Sequence, residues 1–390
     1  MGVVLVLAVL FLCFQENAKQ ALIDGFAVAR RSVLGLMVLL LFASWFVSAL
    51  VSLDVTGSLS TWFRVSVFLS FVVFIHRLFV EHSDSLDLYK KASLIVSVGV
   101  LVYIALVLMG WAALFAPIEA LKTHAVNGHN FFKAHGSTAV VVLPFLIWSG
   151  WTLAGGWRYL AGFATILTGI LIYSDGTEIS LAGLAGIIGA IGAVGFTIAA
   201  GSVRRSVSYI FWIGASVFVI GISYYVVSAL PKPPYVNQMP DLVPLVDSHR
   251  ELIWSFVLEA HKAVPFFGYG PNAVNNVAGA STIIEALNQE YIPSHPHNWM
   301  IEILAETGWF GFGLLLACIA LHLRQAVRGL YYDRPAALAL IASSGAYWVS
   351  GLVNFSFWTS WWQSAYLLSI VATMAAIQAS TQRQRNSETR

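Results

Sequence analysis

Long apolar blocks separated by short polar connectors set the pattern of this chain. Each block is close to the roughly 20 residues an α-helix needs to cross the hydrocarbon core of a bilayer. They lie near 31–52, 61–80, 92–116, 137–153, 157–174, 178–200, 207–230, 298–323, 335–353 and 361–380. Residues 3–14 are also apolar, but too short to cross alone, and they lack the basic residues that open a signal peptide. Read as part of a further span, they bring the expected total to about eleven or twelve. The pattern therefore predicts an all-α, polytopic transmembrane protein with one large loop. It divides into N-terminal membrane helices (1–230), a long polar loop with short helices (231–297), C-terminal membrane helices (298–380) and a polar tail (381–390).

Composition agrees with the pattern. Hydrophobic residues make up 58% of the chain and charged residues 10%, with a mean hydropathy of +0.77. Soluble domains carry about 25% charged residues. The net charge of +2 gives no reason to expect nucleic acid. Its distribution is more informative, because cations gather in alternate connectors: Arg30 and Arg31, Lys90 and Lys91, Arg158, Arg204 and Arg205, Arg324 and Arg328, and Arg383 and Arg385. Those connectors read as cytoplasmic, which turns 53–60, 117–136, 174–177, 231–297 and 354–360 outward. Cys13 and Cys318 both fall in apolar segments, so no disulfide framework is expected. Gly183, Gly186, Gly189 and Gly192 mark a place where helix backbones can approach closely in lipid.

The chemistry gathers in the loop. Ser248-His249-Arg250-Glu251 reads as a capping box, with Ser248 as the cap of a helix running to about residue 264. Arg250 then sits in the first helical turn, where the helix dipole opposes a cation by roughly 0.3–1 kcal/mol. Either an anionic ligand such as phosphate holds it there, or an ion pair with Asp247 or Glu251 does. Gly268-Tyr269-Gly270-Pro271-Asn272 forms a bend between Arg250 and the next polar cluster. That cluster holds His295 and His297, either of which suits general-base work near neutral pH. Asn298, Glu302 and Glu306 follow at four-residue intervals on one helix face, which predicts a wet cavity, with Glu302 placed to orient His297. The connector 117–136 contains His124, His129 and His135, but in no standard metal-ligand spacing. It is expected to be a solvated loop, or else a polar wall in which Lys133 meets lipid phosphate. No metal and no cofactor are expected. A transporter or flippase is the alternative class to an enzyme, although such proteins place their charges nearer the bilayer midplane.

Taken in order, Arg250, Gly268-Tyr269-Gly270-Pro271, His295-Pro296-His297-Asn298 and Glu306-Thr307-Gly308-Trp309-Phe310-Gly311 resemble the O-antigen ligase and polymerase superfamily. The resemblance implies a GT-C type fold in the bacterial inner membrane, with its active face in the periplasm. It implies an inverting, metal-independent glycosyltransferase that takes a glycan from undecaprenyl diphosphate. The acceptor would be lipid A-core or a growing polysaccharide. By the same resemblance Arg250 would hold the diphosphate and His297 would deprotonate the acceptor, with His295 and Asn298 supporting them; Glu302, Lys133 and Gly270 are expected, with these two, to contact substrate. One departure is plain: where many ligases carry a second arginine, this chain reads Ser174-Asp175-Gly176-Thr177.

Overall fold

A computed structural model describes residues 32–109, 128–173, 178–202, 225–230, 247–285 and 287–388, together with Ile23 and Ala27. The described chain is almost entirely helical. In order come α1 (Val33–Leu50), α2 (Val55–Glu81), α3 (Ser83–Leu108), α4 (Gly128–Leu153), α5 (Gly156–Tyr173), α6 (Glu178–Ser202), α7 (Ser248–His261), α8 (Trp299–Gly329), α9 (Arg334–Ser350) and α10 (Ser360–Glu388). Between α7 and α8 lie a 3-10 turn (Val274–Asn276) and a two-stranded antiparallel hairpin, β1 (Ile283–Ile284) and β2 (Gln289–Glu290). Among the described residues seven helices are long and apolar enough to cross a membrane: α1 to α4, α6, α8 and α10, with α3 and α4 counted over Ser83–Val107 and Ala134–Leu153 and α6 over Leu181–Gly201. Helices α5 and α9 occupy two more of the expected spans. The expected first span lies outside the described residues, as does 207–224 of the seventh block.

The boundaries moved in informative ways. Helix α4 begins at Gly128, so 128–135 is helical and not the solvated loop expected there. His129, Asn130, Lys133 and His135 of that connector fall in the first turns of an apolar helix. Asp175 and its neighbours 174–177 lie outside the described residues, as does His124. Helix α10 runs on to Glu388 through the segment read as a tail.

Small residues do bring α6 and α9 together. A Cβ on Gly189 would lie 2.6 Å from Val349 Cβ and closer still to the carbonyl of Gly345. The crossing therefore depends on bare backbone. Gly192, also expected in that contact, faces open space.

Helix α8 organises the loop. Asn298 caps it, its Oδ1 accepting from Met300 N (3.0 Å) and Ile301 N (3.4 Å). Ten residues on, Gly308 takes φ +65° and ψ −174°, which breaks the helix. The loop fills the break. Ala305 O and Glu306 O accept from Tyr269 N and Gly270 N (3.0 and 2.8 Å), while Trp309 N and Phe310 N donate to Pro265 O and Phe266 O (2.9 and 3.3 Å). Two carbonyls and two amides at the kink thus find partners in 265–270. Ser48 of α1 adds its hydroxyl to the same seam, against Phe267 O (2.6 Å) and Glu306 O (2.8 Å). Ile253, Trp254 and Val257 of α7 pack on Ile301 and Ala305 of α8, giving the loop a small core of its own.

Candidate active site

Helix α7 starts one residue earlier than the capping-box reading required. Asp247, not Ser248, is the cap, and its Oδ1 accepts from Arg250 N at 2.8 Å. Its other oxygen sits 3.2 Å from the Arg250 guanidinium. One carboxylate therefore caps the helix and offsets the dipole's opposition to a cation in the first turn. Arg250 is buried.

An open cleft of about 490 Å³ is lined by Asp247, His249, Arg250, Gln289, Glu290, Pro293 and His297. Arg250 and His297, 47 positions apart in the chain, thus face one space. The β hairpin forms its wall, tied to α7 where His249 Nε2 meets Glu290 O at 2.8 Å. On the other side Trp254 Nε1 donates to Pro296 O (2.8 Å), which fixes the segment carrying the histidines.

His297 has φ +57°, the left-handed region that non-glycine residues seldom occupy. Its Nδ1 lies 3.2 Å from Asn354 O. A carbonyl only accepts, so in the neutral ring the proton sits on Nδ1 and the lone pair on Nε2. The His295 ring lies 4.1 Å from it, tilted by 52°, with Nδ1 against Ser294 Oγ at 2.8 Å.

The carboxylates of α8 correct an expectation. Both are buried, and neither lines the cleft. Glu302 accepts from Ser356 Oγ (2.5 Å) and Phe357 N (2.6 Å). Glu306 accepts from Asn272 N (2.8 Å), Val274 N (3.1 Å) and Trp358 Nε1. In place of a wet cavity, this face of α8 clamps two loops. The sequence could put the acids on one face, but the donors come from segments more than 25 residues away on either side.

The remaining expected contacts divide similarly. Asn298 commits its side-chain oxygen to the cap of α8. Gly270, with φ +100°, docks against α8 and the α1–α2 turn, where a Cβ would press on Ser52 and lie 2.8 Å from Ser58 Oγ. It is absent from the cleft lining. The Lys133 side chain lies outside the described residues. Two residues were missed. Asn354, which holds His297, gave no pattern to notice. Arg64 did give one: it is a cation inside a predicted span, and its guanidinium donates to Trp358 O at 2.9 Å.

At the far end of α7, His261 lies edge-on to Trp309, 5.8 Å between ring centroids. Burial lowers its pKa from the ordinary 6.5. Beside it an apolar groove of about 400 Å³ runs along Phe266, Trp309, Phe310, Gly313 and Leu314.

Fold and site together define a polytopic helical membrane protein that presents a buried arginine and a conformationally constrained histidine across one loop-built cleft. Residues 133–316, a little under half of the chain, match the family model described as O-antigen ligase. This stretch, from α4 to just past the break in α8, is similar to that family. The chain is also 28% identical over 127 residues to a protein of Rickettsia conorii named "Putative polysaccharide ligase", across 32% of this chain and 30% of that one. A protein of the same name from Rickettsia prowazekii is 26% identical over 119 residues, 30% of this chain and 29% of that one. Each match spans about a third of the relative's length.

Proposed function

We propose that this protein is a glycosyltransferase of the O-antigen ligase type. It moves a glycan from undecaprenyl diphosphate to a sugar hydroxyl on lipid A-core or a growing polysaccharide, at the periplasmic face of the bacterial inner membrane. The observation that carries the reading is the shared cleft: a guanidinium suited to phosphate and an imidazole with its lone pair on Nε2 face the same space. In this reading His297 Nε2 takes the proton of the acceptor hydroxyl. The hydroxyl oxygen attacks the anomeric carbon, and the bond to the diphosphate breaks with its electron pair going to the leaving oxygen. Arg250 stabilises that charge as it develops. A single displacement of this kind inverts the anomeric centre. A loop anchored in a membrane helix suits a donor whose lipid stays in the bilayer.

The test is transfer by the purified protein with a defined polyprenyl-diphosphate donor and several acceptors offered in parallel. His297→Ala and Arg250→Ala are each expected to lower transfer by at least two orders of magnitude. Both variants should remain in the membrane at normal abundance. Full activity in either sinks the mechanism. Glycan flux across vesicles that survives His297→Ala would point to a transporter.

A further inference from the structure

Glu302 lies on α8 just below His297, but it does not face the cleft. Its partners belong to the turn between α9 and α10. Oε1 accepts from Ser356 Oγ and Oε2 from Phe357 N, at 2.5 and 2.6 Å. Trp358 N donates to the same Ser356 hydroxyl (3.1 Å), and Gln363 Nε2 donates to Phe357 O (2.8 Å). Asn354, in the same turn, is tied to Ser350 Oγ at 3.1 Å and offers its carbonyl to His297 Nδ1 at 3.2 Å. We infer that Glu302 is a positioning residue for His297, acting through the turn 354–358 to fix the ring's tautomer and direction.

The inference rests on the reading of His297 as the base. Its physical content is a short chain of cause. The turn has left α9 and not yet entered α10, so its buried N–H groups lack helical partners. One carboxylate satisfies the amide and the hydroxyl at its centre. Without it, both donors are orphaned in a buried place and the turn must rearrange to satisfy them. The contact to His297 is already 3.2 Å, so a shift of a few tenths of an ångström at Asn354 O takes it past hydrogen-bond range. The ring would then lose the acceptor that selects Nδ1–H and that favours the imidazolium.

Glutamine should replace the carboxylate well, with its oxygen accepting from Phe357 N and its amide donating to Ser356 Oγ. Alanine cannot. The experiment compares wild type, Glu302→Ala, Glu302→Gln, His297→Ala and the Glu302→Ala/His297→Ala double variant as full-length protein in nanodiscs. Four quantities are read: kcat and KM for transfer, the pH profile of kcat, and the pH dependence of carbethoxylation at His297 by diethyl pyrocarbonate, resolved from His295 by fragment mass spectrometry. Glu302→Ala is expected to lower kcat by about 10–100-fold with KM nearly unchanged. The acid limb of the profile and the labelling curve of His297 should both move to lower pH, because the lost acceptor had favoured the protonated ring. Glu302→Gln is expected to stay within a few-fold of wild type, and the double variant to be no worse than His297→Ala. Asp247, His249, Arg250, Glu290 and His295 also border this ring or its cleft, and they are the same in every variant.

An unmoved labelling curve overturns the inference, as does an equal loss in Glu302→Gln or an added loss on top of His297→Ala. If Glu302→Ala does not fold, Ser356→Ala deletes one of the two donors and is judged by the same readouts. Failure of the base reading looks different: His297→Ala would keep full activity, while the labelling shift would still report the link.

Discussion

Gly308→Ala places a methyl group where the loop's backbone already lies. The new carbon would sit 2.5 Å from Phe267 N and closer still to the Phe266 carbonyl group, none of which can rotate away. The backbone at φ +65° and ψ −174° adds its own cost, about 1–3 kcal/mol for a residue other than glycine. Relief requires 265–270 to lift off, which breaks its four hydrogen bonds to α8. At about 0.5–1.5 kcal/mol each these total roughly 2–6 kcal/mol. Straightening α8 recovers two of them, since Ala305 with Trp309 and Glu306 with Phe310 are ordinary helical pairs. With the strain relieved and two bonds lost in net, the seam is destabilised by about 1–3 kcal/mol. Hydrogen exchange on the protein in nanodiscs reads it directly: the Tyr269 and Gly270 amides should exchange about 10–100-fold faster. Transfer activity should fall with them. Gly313→Ala is the control, because a Cβ there meets nothing within 4 Å. Unchanged protection at Tyr269 and Gly270 in Gly308→Ala would refute the claim that the loop and α8 share one ladder.

Two further outcomes are expected. At His297 the left-handed backbone should make His297→Gly more stable than His297→Ala by about 1 kcal/mol, although both are inactive. Thermal midpoints in detergent, with glycine above alanine by a degree or more, check this. At His261 the folded-state pKa is lowered below 6.5, so the unfolded chain binds more protons as the pH drops. Stability of the loop should be full above about pH 6.5 and decline as the pH falls below it, and His261→Phe should abolish that decline; protease sensitivity of the loop at pH 5 and pH 7 decides it.

The sequence made the membrane blocks legible because a bilayer imposes length and apolarity on every span. The loop was legible because it alone interrupts the blocks. Arg250 and His297 could be singled out by residue type and by family likeness, and the cleft does bring them together. What could not be read was who meets whom. Asp247 and Ser248 are both good caps, and only the backbone's entry angle chose between them. Glu302 and Glu306 were legible as a face of one helix, but their partners arrive from Asn272 and Val274 before them and from Ser356 to Trp358 after them. The glycines at 268 and 270 signalled a bend. Their deeper reason is contact: on Gly268 a Cβ would strike the backbone of Ala305 and Glu306. Arg64 was overlooked because the block around it was read for its average, and one cation in an apolar run deserves separate weight.

Because the gap in α8 is stitched with strands of backbone from the loop, the membrane helix and the segment 265–270 are mechanically one part. A lever results: any tilt of α8 at the level of Gly308 drags Pro265 to Gly270 with it, and Ser48 hitches α1 to the same pivot. Forces exerted on α8 inside the lipid are therefore delivered to the loop through hydrogen-bonded backbone.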